Sequence, residues 1–281
     1  MNKIFKNVLK LIKLINAEKY IYLLAKNKYF LIFLNSKWEK KDYFYFKKIF
    51  NDFNKFFKKN HIIFKNKKIL EVGSGGSIGM GYFFLKSNID SWCASDKYCK
   101  IDYSFEKNIF DQIKKNKNIS KLITFSKVYN KKIFFKKIDI ASKKFKIINQ
   151  YDIVLSNAVF EHIDKWQVNV SLKNINHILK KDGLLISRID LSDHLDQSNP
   201  FNFYKYSEKE WNYFTKNTIF YLNRLRKNDF EVALLKNGFK IIKQYNFKEK
   251  MCNVTLADCF KTYSVEDLET KGVLFICKKI N

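Results

Sequence analysis

Hydrophobic positions repeat with two different periods along the chain. Up to about residue 60, Val8, Leu11, Ile12 and Ile15, then Ile21, Leu23 and Leu24, recur at helical spacing with lysines between them. That spacing predicts amphipathic helices. From Lys67 onward, short apolar runs alternate with helical stretches, the pattern of parallel strands joined by crossover helices. The strands predicted in this way are 68–72, 91–95, 133–138, 152–156, 184–189, 239–245 and 273–277. The last two flank 265–271, a helical link, so the chain is expected to end in a strand pair on the same sheet. Between Leu191 and about Arg226 an aromatic-rich stretch carries the sole proline, Pro200, and shows no strand pattern. It follows the C-terminal end of a strand, where open α/β sheets bind ligands, and reads as a cap. No internal repeat is visible. The expected layout is a helical extension over 1–62, then an α/β domain over 63–281 built on a seven-stranded, mostly parallel sheet. The cap, about 192–226, is inserted after the fifth strand.

Composition narrows the class. With 281 residues and 46% hydrophobic content the chain can bury a real core. One proline and eight glycines exclude collagen-like, linker-rich and Pro-rich proteins. A net charge of +27 would point to nucleic acid or an anionic membrane. Lys, Asn, Ile, Phe and Tyr are abundant together, however, as AT-rich codons make them, and much of the lysine excess is therefore discounted. The extension holds fifteen Lys against Glu18, Glu39, Asp42 and Asp52. Its helices are expected to pack on the domain or on a partner subunit, with peripheral contact to an anionic membrane surface the second choice. Five cysteines form no C-x-x-C pair and leave an odd count. This fits a reducing compartment, cytoplasmic by default, and argues against a zinc site or a disulfide framework. The longest apolar run, Tyr29 to Leu34, is far short of the roughly 20 residues of a membrane span. No signal-peptide cleavage pattern follows the lysine-studded start.

The chemistry-bearing motifs sit at predicted strand ends. The first strand runs into Glu71-Val72-Gly73-Ser74-Gly75-Gly76-Ser77-Ile78-Gly79. Glycines there let the backbone turn tightly and approach a ligand, and a helix starting near Gly79 aims free N–H groups at it. Asp96 ends the second strand, where a carboxylate binds ribose hydroxyls. Asp139 follows the third strand, and the fourth continues through Asn157 to Glu161-His162. Lys180-Lys-Asp-Gly183 reads as a helix-to-strand turn with glycine at the left-handed position.

These motifs, in order over about residues 67–190, resemble those of class I S-adenosylmethionine-dependent methyltransferases. The resemblance implies a Rossmann-like fold with S-adenosyl-L-methionine as cofactor. It implies cofactor-binding roles for Glu71, Gly73, Ser74, Gly75, Ser77, Asp96 (ribose), Asp139 (adenine amino group) and Asn157. Ser77 departs from the family's third glycine and is closer to a Gly-x-Gly-Asp-Ser variant of glycan and secondary-metabolite pathways. That branch also shows similarity to Ile189-Asp190-Leu191-Ser-Asp193-His194 and Asn223-Arg224-Leu225-Arg226. The expected reaction is O-methylation of a small-molecule or glycan acceptor. Such a hydroxyl must lose a proton, and histidine is the suitable general base. His194 is the first candidate and His162 the second, with Asp190 or Asp193 orienting the imidazole. No metal is expected.

Arginine is the scarce cation. Arg188, Arg224 and Arg226 are the only three among 54 basic residues. Where lysine is cheap, a retained arginine points to a need for its planar fork, which grips carboxylate or phosphate bidentately. These three are therefore the candidate contacts to an anionic acceptor. Two rival readings run against the motifs. An RNA methyltransferase would suit the charge, yet Ser156-Asn-Ala-Val-Phe160 lacks the Asn/Asp-Pro-Pro-aromatic motif of base-amino enzymes, and no Pro-Cys nucleophile exists. A short-chain NAD(P)-dependent oxidoreductase would match Gly75, Gly79 and Gly81. Its Tyr-x-x-x-Lys pair has no counterpart downstream, since Tyr43/Lys47 and Tyr103/Lys107 both precede the fourth strand.

Overall fold

The structure is a computed structural model that describes residues 42–280 except 118, 147–149, 195, 197–198, 219–220 and 253. The helices predicted before residue 42, and the contacts expected of them, lie outside the described residues. The described elements are α1 (Tyr43–Lys59), β1 (Lys68–Val72), α2 (Gly79–Tyr82), β2 (Ser91–Asp96), α3 (Tyr103–Asn116), α4 (Phe125–Val128), β3 (Ile133–Lys137) and β4 (Tyr151–Asn157). They continue with α5 (Lys165–Ile178), β5 (Leu179–Asp190), α6 (Glu208–Thr215), α7 (Lys227–Lys236), β6 (Phe239–Lys248), α8 (Val265–Leu268) and β7 (Thr270–Lys279).

All seven predicted strands form, in one sheet of order β3-β2-β1-β4-β5-β7-β6. The pairs β1–β2, β1–β4, β2–β3 and β4–β5 are parallel. This is a Rossmann-like arrangement, with the chain reversing its direction of winding between β1 and β4. Register aligns Val72 with Ser95 and with Ser156, so the carboxyl ends of β1, β2 and β4 finish together. The central strands read as unbroken apolar runs because both faces are covered: Ile69, Leu70, Cys93, Ala94 and Val154 are buried.

The chain divides into two compact units. The larger comprises Lys41–Ile189, Asp229–Tyr245 and Val273–Asn281, and the smaller includes Asp190–Asn228 and Asn246–Gly272. In the larger, Asp42 caps α1 by accepting the Tyr45 N–H at 2.9 Å. One face of α1 then buries Tyr43, Phe46, Phe53 and Phe57. The Phe50 and Phe83 rings stack at 5.0 Å, holding α1 to the turn after α2. In the smaller unit the expected cap segment shares a core with a stretch far along the chain. Phe201, Phe203, Tyr204, Trp211 and Leu222 pack with Phe260 and Leu268. Pattern reading along the chain does not anticipate that pairing, because each stretch alone shows only scattered aromatics.

One expected turn is corrected. The left-handed residue just before the buried run of β5 is Asp182 (φ 62), not Gly183. Gly183 is small for another reason: a Cβ there would lie 2.9 Å from the Lys180 carbonyl oxygen. Asp182 meets the Lys278 ammonium at 2.9 Å, which offsets part of its backbone strain. No helix among the described residues is long and apolar enough to cross a membrane.

Gly81 is where α2 rests on the sheet, since a Cβ there would come within 2.8 Å of the fully buried Trp92 indole. Gly81→Ala is expected to destabilise the protein by about 1–3 kcal/mol through overpacking. Urea denaturation measures it, and an unchanged midpoint would show that α2 does not bear on Trp92.

Candidate active site

After β1 the chain passes through Gly73 (φ 73), Gly75 (φ 64) and Gly76 (φ 79), three left-handed conformations that favour glycine. Gly73 has a second reason, because a Cβ on it would lie 2.3 Å from a Val159 methyl. The loop is pinned from β2. Ser74 donates its N–H to the Ser95 carbonyl at 2.9 Å, and Gly75 donates to Asp96 Oδ2 at 3.0 Å. Asp96 Oδ1 accepts from the N–H groups of Tyr98 (2.8 Å) and Cys99 (3.0 Å). Burial works against the charge on Asp96, but these three backbone donors win and hold its carboxyl below the usual range.

Beside this loop opens a cleft of about 240 Å³, lined among others by Gly73, Asp96, Tyr98, Asp139, Val159 and His162. Asp139 accepts the Ala141 N–H at 3.1 Å and an ion pair from Lys97 at 3.0 Å. His162 is exposed, in the short turn Phe160–His162 that follows β4. Glu71 and Asn157 face a second, smaller cavity with Gly73, Ser74 and the α1 residues Tyr45 and Phe46. Glu71 accepts the Trp92 indole N–H at 3.0 Å. Ser77 is buried and its Oγ accepts the Gly79 N–H at 3.0 Å. A side-chain-free backbone cradle with separate carboxylates past β2 and β3 fits a nucleoside whose ribose and base amino groups need acceptors. The residues present therefore suit S-adenosylmethionine.

The other expected residues fall at the end of β5 and beyond. Asp190, its last residue, accepts the N–H (3.0 Å) and hydroxyl of Ser192 on Oδ1, while Oδ2 lies 3.7 Å from His194 Nε2. Burial opposes ionisation of Asp190, yet His194 and the Ser192 donors keep its carboxyl below the usual range. Asp193 is buried, accepts the Asp196 N–H at 3.2 Å, and donates its own N–H to the Pro200 carbonyl at 2.7 Å. It shapes the turn, and Asp190 is a carboxylate within ion-pair reach of His194.

The arginines differ among themselves. Arg188, on β5, keeps 39% of its side chain exposed and reaches Asp52 of α1 at 3.6 Å. Arg224 donates to the carbonyls of Phe203 (3.1 Å) and Tyr206 (2.6 Å) and pairs with Glu208 at 2.9 Å. Its guanidinium lies 4.9 Å from the Phe260 ring centre. Arg226, fully buried, donates to the carbonyls of Leu191 (2.9 Å) and Thr270 and lies over the Tyr204 ring. Two cleft residues carried no weight in the motif reading: Lys97, which is one lysine among many, and Tyr98, an exposed ring at the lip.

The family model for "Methyltransferase domain" matches residues 42–244, and the chain belongs to that family. It is an S-adenosylmethionine-dependent methyltransferase, and the match does not favour the oxidoreductase reading. No curated protein matches the sequence. Among solved structures the chain is similar to an S-adenosylmethionine-dependent methyltransferase from Clostridium acetobutylicum ATCC 824, at 13% identity, 94% coverage of this chain, 99% of that one and a TM-score of 0.49. It is also similar to one from Mesorhizobium loti, at 10% identity, 77% and 93% coverage and a TM-score of 0.47. A third is the N-methyltransferase NodS from Bradyrhizobium japonicum WM9, in complex with S-adenosyl-L-homocysteine, at 11% identity, 77% and 80% coverage and a TM-score of 0.41.

Asp96→Ala should weaken S-adenosylmethionine binding about 10- to 100-fold, because bonds to a charged acceptor contribute roughly 1.5–3 kcal/mol. Calorimetry reads the dissociation constant. A folded Asp96→Ala protein binding as tightly as wild type would put the ribose site elsewhere.

Proposed function

We propose that the protein methylates a hydroxyl oxygen of a small-molecule or glycan acceptor, with His194 as general base and Asp190 as the group that orients it. The observation carrying this reading is the 3.7 Å approach of Asp190 Oδ2 to His194 Nε2 at the carboxyl end of β5. S-adenosylmethionine supplies an electrophilic methyl group, and displacement at it needs an acceptor atom aligned at near-attack distance. An alcohol is a poor nucleophile until its proton leaves. A carboxylate near the imidazole favours a ring able to take up the acceptor's proton. Ionised Asp190 then offsets the positive charge that the imidazole gains. Apo contacts of this kind are commonly long and tighten with substrate bound.

His162, which lines the cofactor cleft, is the second candidate and is assigned here to cofactor contact. Of the three arginines, partly exposed Arg188 is the one assigned to an anionic acceptor such as an acidic or nucleotide-linked sugar. Arg224 and Arg226 spend their forks on backbone carbonyls and are read as braces of the smaller unit. Five free thiols suit a reducing, cytosolic setting.

His194→Ala is expected to lower turnover by an order of 10²–10⁴ with cofactor affinity unchanged. Asp190→Asn should lower it less and move the acid limb of the pH–rate profile. If His194→Ala turns over like wild type while His162→Ala does not, the two roles exchange. Arg224→Lys and Arg226→Lys should lower the melting temperature by several degrees, as a loss of about 1–3 kcal/mol per disrupted buried donor set would do, with acceptor KM unchanged. A raised KM with unchanged melting would instead make either one an acceptor contact.

A further inference from the structure

α1 presents two faces of opposite character. Tyr43, Phe46, Phe53 and Phe57 are buried on one. At about 100° per residue, Lys47, Lys48, Lys55, Lys58 and Lys59 fall within an arc of about 120° on the other, and all five are exposed. The 17-residue helix spreads them over about 25 Å. Asp52, the sole acid within α1, is half-buried and lies 3.8 Å from Lys55 and 3.6 Å from Arg188. Two further lysines come from neighbouring elements. Lys117, which follows α3, lies 4.7 Å from the Phe50 ring centre and 5.4 Å from that of Phe83. Lys47 lies 5.6 Å from the Tyr43 ring, which itself stacks on Phe83 at 6.1 Å. Lys86 is in the turn after α2. Among the described residues no carboxylate pairs with Lys47, Lys58, Lys86 or Lys117.

We propose that the lysine face of α1, with Lys86 and Lys117 beside it, docks the protein on an anionic phospholipid surface. Negatively charged headgroups complement a row of cations that has no acids of its own. The surface also relieves repulsion within the patch. Burial lowers the Lys117 ammonium below its usual range, and Lys47, Lys86 and Lys58 lower it further. The inference is independent of the acceptor assigned to the cleft.

Composition alone does not produce this face. A lysine-rich chain spreads lysine over every surface, as on the exposed side of α3, where Lys107 pairs with Asp111 at 2.8 Å. The outward arc of α1 has the lysines without the acids. A lipid surface suits it better than a nucleic acid for two reasons. The same arc carries Phe44, 69% exposed. Residues 1–41 likewise combine apolar positions at helical spacing with ten lysines against Glu18 and Glu39. Apolar side chains among cations enter the acyl boundary of a bilayer, whereas a single exposed ring falls short of the series on which successive bases stack. Secondly, every cation on the arc is lysine. Mobile headgroups gather around such point charges, and the fork of arginine, suited to fixed phosphates, is not needed.

Cosedimentation of the full chain with vesicles tests this, using phosphatidylcholine alone and phosphatidylcholine with about 30% phosphatidylserine. The charged vesicles should bind the protein and the neutral ones should not. Raising the ionic strength from about 0.05 to about 0.5 M should release it. Each lysine near such a surface contributes a factor of about five, so K47Q/K48Q/K58Q/K59Q should weaken binding about 100-fold or more, with melting temperature unchanged. A second variant, K131Q/K173Q/K209Q/K240Q, removes the same charge from other exposed positions and should lose less than about threefold. Equal losses in the two variants would trace binding to the net charge of +27 and overturn the proposal. So would wild-type binding by the α1 variant, or equal binding to neutral vesicles. Should the α1 variant not fold, K58Q/K59Q decides, with a loss of about tenfold or more expected and an unchanged constant overturning the assignment. Failure to bind charged vesicles, together with binding of an oligouridylate that the α1 variant loses, would give this face to nucleic acid instead.

Discussion

Three backbone N–H groups converge on the Asp96 carboxylate, and the cleft beside the glycine-rich loop depends on that convergence. Gly75 comes from the loop after β1, while Tyr98 and Cys99 come from the turn after β2. Because β1 and β2 run parallel in register, one ionised side chain at the end of the second strand fixes the glycine-rich loop at the end of the first. The steric side of the same constraint is Gly73 beneath Val159, a position with no room for a Cβ. Charge pulls the loop toward β2, and close packing stops it against the segment after β4.

Much of this was legible along the chain, for physical reasons that differ by element. β1 and the core of β2, β4 and β5 announce themselves because interior parallel strands are buried on both faces and must be apolar throughout. β6 and β7 extend past their predicted ends, to Lys248 and Thr270: the partly exposed end of edge strand β6 loses the apolar signal, and at the start of β7 it is broken by Thr270, Lys271 and Gly272 although Thr270 is buried. The loop glycines, Asp96 and Asp139 are legible because their chemistry repeats at strand ends. Glu106 had a signal of its own, an acid in phase with Ile109, Phe110 and Ile113, but a helical stripe alone does not say what the odd member touches. Arg224 and Arg226 each spread the planar fork over several acceptors at once. Those acceptors are carbonyl oxygens and, for Arg224, the Glu208 carboxylate of the same unit, and composition cannot distinguish them from a substrate anion.

Two carboxylates accept backbone N–H groups of one loop, Asp96 from Gly75 and Glu106 from Ile78, and their environments push them apart. Asp96 meets three N–H donors and keeps its charge against burial, whereas Glu106 meets fewer donors in a deeper site and burial prevails. Ser77 in place of a third glycine gives up backbone freedom for a hydroxyl whose oxygen accepts the Gly79 N–H at 3.0 Å. The residue that departs from the commoner loop pattern therefore exchanges backbone freedom for a side-chain tie within the loop itself.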